Sequence, residues 1–382
     1  MKEVRVYFAF AVVCLGTAFA GDKPRARDLG IPFDGVPGGL NAITDVQGVE
    51  VGHTTLISGE GKLQVGVGPV RTGVTAVLPR GKNSTDQVFA GWFTLNGNGE
   101  MTGTTWLEES GFLDGPVMIT NTHSVGVVRD AVIGWRVKHG PQDAEGYWWS
   151  LPVVAETWDG YLNDINGFHV KPEDAVHALD AAHGGPVEEG SVGGGTGMVC
   201  NEFKGGIGTA SRSVKISEGT YTVGVLVQCN YGRRDQLRIA GIPVARELPG
   251  HAVYRNETGS IIVVVATNAP LIPPQLKRLA KRVSLGLGRI GSYSGDGSGD
   301  IFIAFSTANP HAGENKGLRS LTMVPNDSLD SIFLGTVQAT EEAIINAMVA
   351  ADTMTGIDGH TVMGLPHKEL QDVLRKYNRL TK

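Results

Sequence analysis

A chain of 382 residues, 41% of them apolar, can build a large core, and its net charge of −6 with no basic run or basic helix face argues against nucleic acid as a partner. Its 54 glycines are scattered rather than periodic, which excludes a collagen-like repeat and fits many tight turns between strands. No HExxH metal motif, P-loop or G-x-S-x-G turn occurs.

The first residues read as a processing segment. Lys2 and Arg5 are basic, residues 6–19 are nearly all apolar, and Ala18-Phe19-Ala20 has the small-x-small form of a signal-peptidase site. The apolar run is short for a bilayer span. Residues 1–20 are therefore expected to be a signal peptide, and the mature chain to begin near Gly21 and to be exported, periplasmic or secreted. Val13 before Cys14 argues against a lipoprotein anchor, which wants a small residue there.

Residues 41–53 predict a turn and a short strand. Residues 65–78, where apolar residues alternate with Gly and Thr, predict a hairpin. A strand over 116–120 ends at Asn121-Thr122-His123-Ser124, and 125–139 have helical spacing. The apolar 151–154 lead into Glu156-Thr157-Trp158-Asp159-Gly160. Pro172, Glu173 and Asp174 open a helix over 172–183 that Gly184 and Gly185 close. Residues 221–228, YTVGVLVQ, predict a strand reaching Asn230. Cys200 and Cys229 lie in apolar surroundings, where a disulfide and two buried thiols are both open.

The least patterned stretch, 247–259, stops abruptly at Gly259, and 260–267, SIIVVVAT, predict a strand buried on both faces. There follow an amphipathic helix over 273–285 and a second buried strand over 300–306. A helix over 340–354 is opened by Glu341 and Glu342, where acid suits a helix N-terminus, and a shorter helix covers 369–377. Continuous apolar strands alternating with helices predict an α/β fold with helix-covered sheets.

The loop-to-strand boundary at Gly259–Ser260 carries a chemical possibility. Cutting that bond would make Ser260 an N-terminus on a core strand. A serine hydroxyl needs a base. An α-amine, with a pKa of about 7.7–8.0, sits on the same residue. Glycine before the serine allows the close approach a hydroxyl needs on its own preceding carbonyl. Ser298 and Asp300, two apart in a glycine-rich stretch, share one face of an extended segment, and a hydroxyl backed by a carboxylate can polarise a nucleophile or relay its proton. By themselves these features also describe a turn entering a strand and a polar turn facing solvent.

Residues 259–270, GSIIVVVATNAP, resemble the cleavage junction of the DmpA-type aminopeptidases, the self-processing serine family that includes the β-peptidyl aminopeptidases. Further similar segments are GVEVGH (48–53), ITNTHSVG (119–126), LPVVAE (151–156), Ser298-Gly-Asp300 and TVQATEE (336–342). The resemblance implies an αββα sandwich, two mixed sheets between helix layers, with an Ntn-hydrolase-like active site. It implies one catalytic domain cut into an α chain (21–259) and a β chain (260–382) that stay together. Ser260 would be the nucleophile, Ser298 and Asp300 its supporting serine and acid, and Asn230 an oxyanion donor. Glu156 would meet the substrate's free amine. Trp158 stands where relatives often carry Tyr, and it donates only through its indole N–H. The implied substrates are short peptides, amides or esters with a free amine. A homo-oligomer, often a tetramer, is implied, with no metal or organic cofactor.

Other signals carry less. GLGRIG (286–291) fits a dinucleotide fingerprint but follows a helix, where its glycines read as the helix end. His177, Asp180 and His183 rotate around a helix without forming a ligand set. Asn121 and His123 are secondary candidates. Two rival readings are a self-cleaving acyltransferase of the ornithine acetyltransferase type and an unprocessed exported binding protein.

Overall fold

The computed structural model describes residues 23–140, 149–254, 256, 259–314 and 317–381; the expected signal peptide lies outside them. Strands β1 (Glu50–Ser58), β2 (Val70–Leu78), β3 (Val88–Gly97), β4 (Phe112–Leu113), β5 (Val117–Asn121) and β6 (Val153–Thr157) occupy the first part of the chain. Then come β7 (Val199–Cys200), β8 (Phe203–Lys204), β9 (Gly206–Ile216) and β10 (Gly219–Asn230). The last are β11 (Gly259–Thr267), β12 (Ser298–Ser306), β13 (Met354–Thr355) and β14 (Thr361–Val362). The helices are α1 (Thr104–Ser110), α2 (Val125–His139), α3 (Pro172–Asp180), α4 (Pro273–Ile290), α5 (Asp330–Val349) and α6 (His367–Lys376).

One sheet has the order β1-β2-β5-β6 and the other β4-β3-β12-β11-β10-β9, with two short ribbons, β7-β8 and β13-β14, outside them. The pairs β5/β6 and β11/β12 are parallel and the others antiparallel, so both main sheets are mixed.

The alternation of β11 shows why its aliphatic run is unbroken. Ile261, Val263 and Val265 join the core beneath α4 and α5, whereas Ile262, Val264 and Ala266 join the core between the two sheets. On the far side, Val128, Val132, Ala178 and Leu179 of α2 and α3 cover Val74, Ala76 and Met118. Both faces of β11 are dry, and each fully buried aliphatic side chain contributes about 1.5–3 kcal/mol. The layers run helix, sheet, sheet, helix: the αββα sandwich.

Three expectations change. Residues 65–78 do not form a hairpin of their own. Gly66 and Gly68, at φ +85° and +125°, interrupt the extended backbone, and β2 pairs instead with β1, Glu50 opposite Leu78. Helix α4 runs on to Ile290, so Gly286 and Gly288 lie inside it and Gly291, at φ +102°, caps it. A Cβ on Gly286 would lie 2.6 Å from the Thr340 Cβ, so this glycine lets α4 press on α5. Helix α5 begins at Asp330, ten residues before the expected start, because its Gly-Thr-Val segment is held by burial rather than by propensity.

Glu341 and Glu342 consequently lie in the middle of α5. Glu342 is fully buried and accepts from Arg27 Nε (2.7 Å), Arg27 Nη2 (2.8 Å), Arg212 Nη2 (2.7 Å) and Asn41 Nδ2 (2.6 Å). Cys200 and Cys229 are joined in a disulfide. Asp180 accepts from the Trp135 indole (2.8 Å), His177 meets Thr54 (3.2 Å), and His183 lies beyond α3 in a bridge to Val51.

Candidate active site

Ser260 sits at the start of β11, 4% exposed, paired with Asn230 on β10 and with Gly299 on β12. Gly259 has φ +135°, a conformation that favours glycine. A Cβ built on it would stand 2.0 Å from the Asn230 carbonyl oxygen and 3.4 Å from the Asn230 Nδ2. Conformation and space therefore both demand glycine here, and the asparagine amide lies close to the Gly259 backbone.

Asn230 is buried at the end of β10. Its Oδ1 accepts from the Val199 N–H (2.8 Å), and its Nδ2 donates to the Trp158 carbonyl (2.9 Å). These partners define which end of the amide is the donor. Nδ2 carries two hydrogens, so one is committed to Trp158 and a second can serve a developing oxyanion.

Ser298 stands opposite Gly259 and donates to Asp300 Oδ1 (2.6 Å); both residues are fully buried. Strand alternation puts this pair on the face shared with Phe302 and Ala304, under the helices. Ser260 shares the face of Ile262 and Val264, toward the other sheet. The pair thus accompanies the main chain at the Gly259–Ser260 junction rather than the Ser260 hydroxyl.

A cavity of about 310 Å³ opens at Ser260, lined also by Asn98, Thr122, Glu156, Trp158, Gly259 and Gly297. Glu156 lies inside β6, one residue before its end, rather than in a solvated loop, and is 3% exposed. Its Oε1 accepts from the Glu100 N–H (3.0 Å) and its Oε2 from the Thr122 hydroxyl. Burial pushes its carboxyl above the usual range, against the pull of these two bonds. Trp158 is 38% exposed, so its ring is available at the rim while its carbonyl holds Asn230. Asn121 accepts from the His123 N–H (3.0 Å) and donates to Thr72 (2.7 Å), and His123 stacks on Phe168.

Three residues of this region carry no signal of their own in the sequence. Thr122 lies in the Asn121–Ser124 turn, but only the fold brings it to Glu156. Asn98 belongs to the glycine-rich turn after β3. Asp159, next to Trp158, is 1% exposed; burial pushes its carboxyl up to about 7, and Asn163 donates to it (3.0 Å).

A hydroxyl and a buried carboxylate around one cavity, with an amide donor on the strand beside the hydroxyl, suit acyl transfer from a substrate that carries a cation. The sequence model for peptidase family S58 matches residues 41–362. The chain belongs to peptidase family S58. This S58 peptidase is 58% identical to a beta-peptidyl aminopeptidase BapA of Sphingosinicella microcystinivorans, over 98% of each chain. It is 47% identical to BapA of Sphingosinicella xenopeptidilytica, over 92% of this chain and 91% of that one. Among solved structures it matches the L-aminopeptidase D-Ala-esterase/amidase of Ochrobactrum anthropi, described as a variant of the Ntn-hydrolase fold. The TM-score is 0.88 at 48% identity, over 94% of this chain and 100% of that one. The S58 peptidase is a serine-type aminopeptidase with an Ntn-hydrolase fold. Neither the acyltransferase nor the binding-protein reading is favoured by this membership.

Proposed function

We propose that this S58 peptidase cuts its own chain between Gly259 and Ser260 and then uses Ser260 to remove N-terminal residues from short peptides, amides or esters. The observation that carries the proposal is the meeting of a glycine-only backbone at residue 259 with the Asn230 amide.

In the first stage the Ser260 Oγ adds to the Gly259 carbonyl carbon. The Ser260 nitrogen takes a proton and leaves as an amine, and water hydrolyses the remaining Gly259 ester. The α chain (21–259) and β chain (260–382) stay associated. In the second stage the freed amine takes the Oγ proton as Oγ attacks the substrate carbonyl. The leaving amine or alcohol takes that proton, and water releases the acyl group. Asn230 Nδ2 donates to the oxyanion, a contribution of roughly 3–4 kcal/mol in comparable sites. Ser298 and Asp300 steady the ammonium that forms on Ser260, a role that matches their place along the main chain rather than at Oγ. Glu156 receives the substrate's ammonium group, and Trp158 shapes the cavity rim.

The substrates we propose carry β-aminoacyl N-termini, because both full-length relatives are named beta-peptidyl aminopeptidases. The resemblance also supports a homo-oligomer, and the apolar N-terminal segment supports export.

Intact mass of the purified wild type beside Ser260→Ala tests the proposal. Two fragments ending and beginning at Gly259 and Ser260 are expected in the wild type only. An uncut, active wild type overturns it. Rates on β-homoamino-acid and L-amino-acid anilides with the same side chain decide the acyl preference.

A further inference from the structure

We infer that the Cys200–Cys229 disulfide is a positioning device for the Asn230 amide. The inference rests on the proposed role of Asn230 as oxyanion donor.

Two links join the same pair of backbone segments, one residue apart. Cys229 directly precedes Asn230 on β10. Cys200 directly follows Val199, whose N–H holds the Asn230 Oδ1 at 2.8 Å. The covalent bond therefore limits how far Val199 can drift from Asn230. An asparagine amide is nearly symmetric in shape, and only its partners decide whether N or O faces a given point. If Val199 withdraws, the Trp158 carbonyl alone opposes rotation, and an oxygen facing an oxyanion would repel it.

The ribbon that carries Val199 needs such a tie. Strands β7 and β8 contribute two residues each, and an isolated ribbon is marginal even when longer. Its open end is closed by Lys204, whose Nζ donates to the Met198 (2.9 Å) and Gly205 (2.8 Å) carbonyls. Its turn grips the segment after β10: the Asn201 N–H donates to the Tyr231 carbonyl (2.7 Å), and Glu202 Oε2 accepts from the Arg234 N–H (3.2 Å). Glu202 Oε1 also accepts from the Tyr254 N–H (3.1 Å), so the bracket reaches the segment that leads to Gly259. The disulfide is the covalent member of this bracket, and it is the one nearest the Asn230 amide in sequence.

The test compares wild type, C200A/C229A, N230A and the triple variant by kcat, KM and rate of self-processing. Losing the oxyanion donor in N230A is expected to lower kcat about a hundredfold. Removing the disulfide alone is expected to lower kcat and the processing rate about tenfold, with KM held within about twofold, and to change N230A by less than about twofold. If C200A/C229A fails to fold, mature wild type is treated with dithiothreitol. The dithiol closes to its cyclic disulfide as the protein gains two thiols, counted with a thiol reagent, and the same fall in kcat is expected. A disulfide-free enzyme with wild-type kcat, or a loss that multiplies with that of N230A, overturns the inference. A fully active N230A overturns the oxyanion role itself, a separate and recognisable failure.

Discussion

Ser298 stands opposite Gly259 across the parallel pairing of β11 and β12, with its hydroxyl committed to Asp300 at 2.6 Å. A parallel neighbour of this kind lies beside the Gly259–Ser260 junction in both of the stages proposed above. Nothing in that position needs to move between the two stages.

Ser298→Ala is expected to slow both self-processing and turnover, each by about a hundredfold, the usual yield of a positioned proton-handling group. KM should change little. A time course of intact mass, with kcat on the fraction already cut, measures both. Cutting at the wild-type rate in Ser298→Ala would remove the pair from the mechanism.

Gly259→Ala should leave the chain in one piece. The new Cβ meets the Asn230 carbonyl at 2.0 Å and forces a backbone that L-residues rarely adopt. The strand must shift before Ser260 can reach the carbonyl. A single band on a denaturing gel, from protein with a cooperative melt, is the expected result.

Glu156 should show opposed effects on activity and stability. Burial, the largest influence, raises its carboxyl, so the carboxylate proposed to bind the substrate's ammonium is lost at a higher pH than for an ordinary Glu as the solution is acidified. The acid limb of kcat/KM should therefore lie above about 4.3, the unperturbed value, and should vanish in Glu156→Gln, whose kcat/KM is low throughout. The sign for folding is the reverse. A raised native pKa gives stability that is present below the unfolded value and lost as pH rises through the native one. Glu156→Gln should thus melt higher than wild type near neutral pH, with the gap closing in acid. Paired melts across that range check it.

Glu342 makes the contrary case. Burial alone would raise its carboxyl, but Arg27, Arg212 and Asn41 together hold it below the ordinary range. The stability it contributes is present above the unfolded pKa and lost as pH falls through the native one. Glu342→Gln leaves Arg212 buried without its counter-charge. It should cost about 3–5 kcal/mol in denaturant unfolding, with kcat nearly unchanged.

How much of this was legible depended on where each constraint lies in the chain. The run after Ser260 reads as a doubly buried strand because its pattern is entirely local, and α2 matches its periodicity residue for residue. Helix α5 is harder to see. Ile332, Val337 and Ile344 are buried around most of its circumference, so no polar face marks its start. Glu342 looks like an N-terminal acid until Arg27 and Arg212, far away in sequence, are brought to it. At the site, Ser260, Ser298, Asp300, Asn230 and Glu156 were reached through motifs. Thr122 lies inside one of those motifs without a role of its own, and Asn98 and Asp159 lie outside them, because the surroundings of all three are made by other strands. The cysteine pairing needed β10 and the β7–β8 ribbon to be placed side by side.

The order of the six-stranded sheet has a last consequence. β11 and β12 lie between β3 and β10. Once the bond before Ser260 is cut, the smaller chain is a wedge gripped along both edges by the larger one, and neither fragment owns the complete six-stranded sheet. The two pieces cannot trade partners without melting the molecule. The plan for threading them together exists only while they are one polypeptide, so heat-unfolded mature enzyme should regain activity far less readily than unfolded uncut precursor. The working enzyme would then be a kinetically held product of its own precursor, its durability set by an unfolding rate rather than by a reversible balance.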